Sequence, residues 1–251
     1  MKDILKLAHL CQYSYKEPLQ ILNIIRTTSC HTTSALLQTG IFISNKNTDA
    51  QAYIFYDNTT IYVCFRGTSS TKDKLIDLKV SMTRFLQKDV FIHKGFSKQY
   101  TCISQDIKEQ ISNIQQTHKQ TNIICCGHSL GGALATICSV DLKFSTFASN
   151  NVQCITFGSP RVGNKQFVEL FQSLMKESYR VVDHNDPIAY VPMNYRYHHV
   201  QDALCFYENQ IKMKKDKVWY KRLFNALGNI RCVNMFHEHS MANYIGLIKN
   251  R

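Results

Sequence analysis

Three short apolar runs interrupt an otherwise mixed pattern: Ile61-Tyr62-Val63-Cys64-Phe65, Ile123-Ile124-Cys125-Cys126 and Val152-Gln153-Cys154-Ile155-Thr156-Phe157. A glycine follows each within two residues, so each reads as a buried strand stopped by a turn. Helical spacing of apolar positions recurs over Ser97 to Thr117, Leu130 to Phe144 and Gln166 to Lys176. Strands alternating with helices predict an α/β fold, a largely parallel sheet covered by helices on both faces. Upstream, Gly40 to Ser44 and Ala52 to Tyr56 predict two further strands, and Ile4, Ala8, Cys11 and Tyr15 mark one face of a helix. The pattern shifts over residues 208–224, where Lys212, Lys214, Lys215, Lys217, Lys221 and Arg222 crowd around Val218, Trp219, Tyr220 and Leu223. That stretch is expected to be a basic insertion.

Composition narrows the classes. With 251 residues, 44% hydrophobic and 19% charged, the chain has the size and balance of one domain spanning 1–251 with a sizeable core. No segment approaches the roughly 18 consecutive apolar residues of a membrane-spanning helix. Met1 to Tyr15 is broken by Lys6 and His9 and does not read as a secretion signal. The ten cysteines include no Cys-x-x-Cys pair, and four of them lie inside the apolar runs. These features predict buried free thiols and a cytoplasmic, reducing location. The formal charge of +12 predicts attraction to anionic partners. Peripheral contact with an anionic membrane is one expectation, whereas nucleic acid is not expected, because no reading motif accompanies the charge.

The chemistry is concentrated at Gly127-His128-Ser129-Leu130-Gly131, a Gly-x-Ser-x-Gly pattern directly after a predicted strand and directly before a predicted helix. A strand-to-helix turn this tight leaves room only for glycine two positions either side of the serine, and it projects the Ser129 hydroxyl. The helix start favours negative charge developing beside Ser129, and the N–H of Leu130 is one of the unpaired first-turn donors. Leu130 is therefore an expected oxyanion donor. The plainer alternative is a serine capping its own helix.

A serine nucleophile needs a base and a group to orient that base, in the chain order Ser, Asp, His. Val181-Val182-Asp183-His184-Asn185-Asp186-Pro187 is an apolar strand ending in a polar turn, and either Asp186 or Asp183 could supply the acid. His237 and His239 flank Glu238 ahead of Met241-Ala242-Asn243-Tyr244-Ile245, a predicted final helix. A His-x-His pair also raises a metal reading, but zinc calls for three or four ligands and no spaced partner pair accompanies these two. No metal and no organic cofactor is expected.

Gly127 to Gly132 resembles the Gly-His-Ser-Leu-Gly-Gly signature of the fungal-type class 3 lipase family, and further segments resemble it in order. Val63-Cys64-Phe65-Arg66-Gly67-Thr68-Ser69 is similar to the family's oxyanion strand, His93-Lys94-Gly95-Phe96 to the segment after it, and Phe157-Gly158-Ser159-Pro160-Arg161-Val162-Gly163-Asn164 to its post-nucleophile strand end. Asn185 to Pro192 is similar to the acid-bearing stretch. Ala189 stands where the family has a proline, which leaves Asp183 as the second candidate behind Asp186. His239-Ser240-Met241-Ala242-Asn243-Tyr244 is similar to the family's base segment and points to His239 rather than His237. The resemblance implies an α/β-hydrolase fold, a Ser129–Asp186–His239 triad, and Thr68 as a second oxyanion donor beside Leu130. It also implies a lid somewhere within residues 70–90, where Lys72 to Val80 is amphipathic. The implied activity is hydrolysis of lipid esters, of the acylglycerol lipase or phospholipase type. The rival expectation is a catalytically silent lipid- or membrane-binding homologue.

Overall fold

The computed structural model describes residues 2–27, 40–67, 80–118, 122–207, 210–214 and 235–250. Ten strands run in chain order: β1 (Ile41–Asn45), β2 (Ala50–Tyr56), β3 (Thr60–Phe65), β4 (Met82–Phe85), β5 (Gln87–His93), β6 (Asn122–His128), β7 (Asn151–Phe157), β8 (Ser178–Asp183), β9 (Ala203–Tyr207) and β10 (Gln210–Lys214). Eight of them form one sheet in the order β1-β2-β3-β6-β7-β8-β9-β10. The stretch from β3 to β9 is parallel, and antiparallel pairs close both edges.

The helices are α1 (Lys2–Tyr13), α2 (Pro18–Thr27), α3 (Lys94–His118), α4 (Leu130–Phe144), α5 (Lys165–Leu174), α6 (Met235–Glu238) and α7 (Met241–Lys249). Alternation along β3 explains the layering, because successive side chains of a strand point to opposite faces. Ile61, Val63 and Phe65 pack under α3 and α4, while Tyr62 and Cys64 pack under α1 and α7. In α3 the buried positions Phe96, Tyr100, Ile103, Ile107, Ile111 and Ile114 recur every three or four residues and form one apolar stripe. Leu130 to Leu142 of α4 are buried on every side, as suits a helix enclosed between the sheet and its neighbours. The thiols of Cys64, Cys125, Cys126 and Cys154 are free and buried.

Two expected segments lie partly outside the described residues. Within the span 70–90, residues 82–90 belong to the antiparallel β4–β5 hairpin, and residues 70–79 lie outside the described set. Within the basic stretch 208–224, Gln210 to Lys214 pairs with β9 as the edge strand β10, and the rest lies outside the described set. Among the described residues no helix is long and apolar enough to cross a membrane.

Candidate active site

β6 delivers the serine. Its last residue is His128, and Ser129 turns the chain into α4 with φ 59° and ψ −130°, a conformation seldom adopted by a residue with a Cβ. Close approach explains the flanking glycines: a Cβ on Gly127 would collide with the backbone of Gly131. The turn is held by Ser129 N–H donating to the carbonyl of Phe157 on β7 at 2.9 Å. Ser129 does not cap its helix, since its side chain makes no capping hydrogen bond. Among the described residues Oγ is buried with no hydrogen-bond partner, and burying an unpaired hydroxyl costs about 1–3 kcal/mol. Leu130 is the first residue of α4, so its N–H has no intrahelical acceptor.

The candidate acid lies in the turn after β8. Asp186 is wholly buried. Its Oδ1 accepts the N–H of Ile188 at 2.9 Å, and its Oδ2 accepts the Tyr244 hydroxyl at 2.6 Å. The same Oδ2 lies 2.8 Å from Nδ1 of His239. Asp183 faces elsewhere: its carboxylate accepts the Asn185 N–H at 3.0 Å and the Asn243 amide at 2.6 Å. Burial raises the Asp183 pKa, the main effect on it. The structure thus brings Asp186, not Asp183, against His239. His237 stands exposed on α6. With Nδ1 facing Asp186, Nε2 is the ring nitrogen left over, and among the described residues it too is buried without a partner.

Helix α7 braces this pair. Ser240 caps it by accepting the Asn243 N–H at 3.2 Å, which places Tyr244 against the acid. Burial, and then the Asp186 charge, raise the Tyr244 pKa well above the usual phenol value, so its hydroxyl stays a donor. It also receives the Asp183 N–H at 3.1 Å. Gly158, at φ 55°, completes the wall: a Cβ there would sit 2.5 Å from Oδ2 of Asp186 and 3.1 Å from Cε1 of His239.

Two residues that sequence reasoning did not place at the site link its parts. The Tyr15 hydroxyl lies 2.8 Å from Nδ1 of His128, and Nε2 of His128 lies 2.6 Å from the backbone carbonyl of His239. Burial, followed by the neighbouring His239, holds His128 well below the ordinary histidine pKa, and burial pushes the Tyr15 phenol up. Both are therefore neutral, and their partners fix the tautomer: Tyr15 donates to Nδ1, and Nε2–H donates to the carbonyl. Tyr15 also receives the backbone N–H of Gly67. Gly67 is the last described residue before Thr68, which itself lies outside the described set. His128 sits inside the serine motif, and Tyr15 ends the apolar face read for the first helix. Only the three-dimensional fold joins them.

The model of the class 3 lipase family matches residues 62–196, more than half of the chain, from within β3 through the Asp186 turn. The chain belongs to the class 3 lipase family. This lipase-family chain is 30% identical over 149 residues to a lipase from Rhizopus niveus, covering 57% of this chain and 38% of that protein. It is 28% identical over 149 residues to the chloroplastic phospholipase A(1) DAD1 of Arabidopsis thaliana, covering 53% of this chain and 33% of that one. The matches thus span about a third of these relatives' length. Among solved structures, the triacylglyceride lipase of Rhizomucor miehei superposes with a TM-score of 0.77 at 21% identity, over 93% of this chain and 91% of that one. That likeness establishes the lipase-type α/β fold. Among the described residues no three His, Cys, Asp or Glu side chains gather into a metal site.

Proposed function

We propose that this protein hydrolyses carboxylic esters of lipids through a covalent acyl-enzyme on Ser129. The observation that carries the reading is a pair of buried atoms with no partner among the described residues, Ser129 Oγ and His239 Nε2, the second on a ring whose other nitrogen is 2.8 Å from Asp186. Burying two unsatisfied polar atoms is a cost that a purely structural site would not carry, and a hydroxyl and a basic nitrogen are the groups a nucleophile and its base require. Apo sites of this kind commonly show the nucleophile and base not yet hydrogen-bonded.

In the proposed reaction, Oγ attacks the ester carbonyl as His239 takes its proton, and the oxygen gathers the negative charge. The N–H of Leu130 donates to that oxygen, and Thr68, assigned by the family resemblance, supplies the second donor. Collapse breaks the bond to the alcohol, which leaves with the proton from His239. A water activated by the same ring then releases the acid and frees Ser129. Asp186 holds the tautomer and stabilises the imidazolium. The relatives named lipase and phospholipase support acyl esters of lipids as the substrate class.

The test is hydrolysis of short- and long-chain p-nitrophenyl esters and of phospholipid vesicles by the wild type and Ser129→Ala. A fall in kcat on the order of 10⁴-fold or more is expected in the variant. Equal rates in the two proteins, or no turnover of any ester, would sink the hydrolase reading in favour of a silent lipid-binding homologue.

A further inference from the structure

Thiols that the proposed reaction does not use gather on both faces of the sheet. On the face under α1, Cys64 of β3 and Cys126 of β6 are direct register partners on neighbouring parallel strands, and their sulfurs are 3.0 Å apart. Both are wholly buried. Cys11 of α1 adds a third thiol, hydrogen-bonded to Cys126. On the opposite face Cys125 and the α4 residue Cys138 stand 3.7 Å apart.

We propose that Cys64 and Cys126 form a two-electron oxidation site that closes to a disulfide across β3 and β6. The geometry needs little adjustment. Neighbouring strands run about 4.8 Å apart, inside the roughly 4.4–6.8 Å between Cα atoms that a disulfide spans. The two side chains issue from the same face, and the sulfurs have about 1 Å to travel to the bonded distance of roughly 2.05 Å. The Cys125–Cys138 pair starts further apart and joins a strand to a helix, so it serves as the internal comparison. Hydrogen bonds from the thiols of Cys11 and then Cys64 favour the charged form of Cys126, whereas burial pushes Cys64 and Cys11 up. Cys126 is accordingly the attacking sulfur.

The oxidant is a hydroperoxide. The Cys126 thiolate attacks the peroxide, the O–O bond breaks, and with hydrogen peroxide one water leaves a sulfenic acid on Cys126. The Cys64 sulfur then attacks Cys126, the S–S bond forms, and the sulfenic oxygen departs as a second water. Two thiols and one hydrogen peroxide thus become one disulfide and two waters. The sulfurs lie beneath α1, so the oxidant enters when that helix opens locally. The bond would tie the strand that leads into Ser129 to the strand that leads into Thr68. The site stands on strand register and sulfur geometry alone and does not depend on the hydrolase reading.

The whole chain is treated with hydrogen peroxide past the time at which the α1 amide hydrogens exchange with solvent, then alkylated, digested without reductant and mapped by mass spectrometry. The expected product is a peptide pair joined through Cys64 and Cys126, two hydrogens lighter than the sum of its reduced halves. It should be released by dithiothreitol and absent from Cys64→Ala. A Cys11–Cys126 or Cys125–Cys138 bond in its place, or alkylation of both Cys64 and Cys126 after that exposure, would overturn the proposal. Wild-type protein carries the decisive reading, so a Cys64→Ala chain that fails to fold leaves the test intact.

Discussion

At the level of single residues, the hydrogen-bond chain from Tyr15 through His128 to the His239 carbonyl makes the sharpest demands. Tyr15→Phe removes the donor that fixes the His128 tautomer, so Nε2–H no longer points at the carbonyl in every molecule. A neutral hydrogen bond is worth about 1 kcal/mol, so kcat for ester hydrolysis is expected to fall about 5- to 10-fold with KM nearly unchanged. An equal kcat in both proteins would remove Tyr15 from the site. His128 also leaves a pH signature. Its folded pKa lies well below the ordinary 6.5, so as pH drops past about 6.5 the unfolded chain takes up a proton that the folded chain refuses, and stability falls. The loss is at most about 1.4 kcal/mol per pH unit. Denaturant midpoints from pH 7 to 5 should therefore decline more steeply in wild type than in His128→Gln, which keeps an amide donor and cannot titrate. Ser129 stands out in the sequence through its motif, whereas turn chemistry alone leaves Asp186 beside Asp183 and His239 beside His237, and the family resemblance favours Asp186 and His239. Tyr15 and His128 do not stand out, because their contacts span 113 and 111 residues, and no local pattern records a partner that distant.

Among the elements, strands β3, β6 and β7 and helices α3 and α4 follow the apolar pattern to within a few residues, because each has a full apolar face or is buried on both sides. The β4–β5 hairpin was not read as strands. Its sequence from Met82 to His93 alternates poorly, and β5 opens with three exposed residues, Gln87, Lys88 and Asp89. The edge strand β10 was hidden for a related reason: Lys212 and Met213 face solvent, and charge on an edge strand discourages pairing with further chains. Helix α1 carries more than its sequence suggests. It packs on α7, β3, β6 and β7, which brings Tyr15, just past its end, against His128 beside Ser129. Leu10 is completely buried there, and Leu10→Ala is expected to cost about 2–5 kcal/mol, read as a lowered urea midpoint. Because α1 presents Tyr15, activity should decline at denaturant concentrations below the main unfolding transition in this variant. Loss of activity and of structure at one common midpoint would show that α1 does not loosen separately.

For the molecule as a whole, the parallel order β3-β6-β7-β8 sets Gly67, Ser129, Gly158 and the Asp186 turn side by side at one end of the sheet, and the turn before α7 brings His239 to Asp186. Residues distant in sequence become neighbours because parallel strands all finish at the same edge, where open α/β sheets build their sites. Charge acts at this scale too. A formal +12 on 251 residues gives a field that depends on the sum of charges rather than on any one contact. Each Lys or Arg near an anionic bilayer contributes about 1 kcal/mol, and salt screens that attraction over about 10 Å at 0.1 M. The Ser129→Ala chain, which leaves the lipid intact, is accordingly expected to co-sediment with vesicles containing anionic phospholipid and to be released by about 0.5 M salt, with little binding to purely zwitterionic vesicles. Equal binding to both vesicle types, unmoved by salt, would mean that an apolar surface rather than net charge governs contact with lipid.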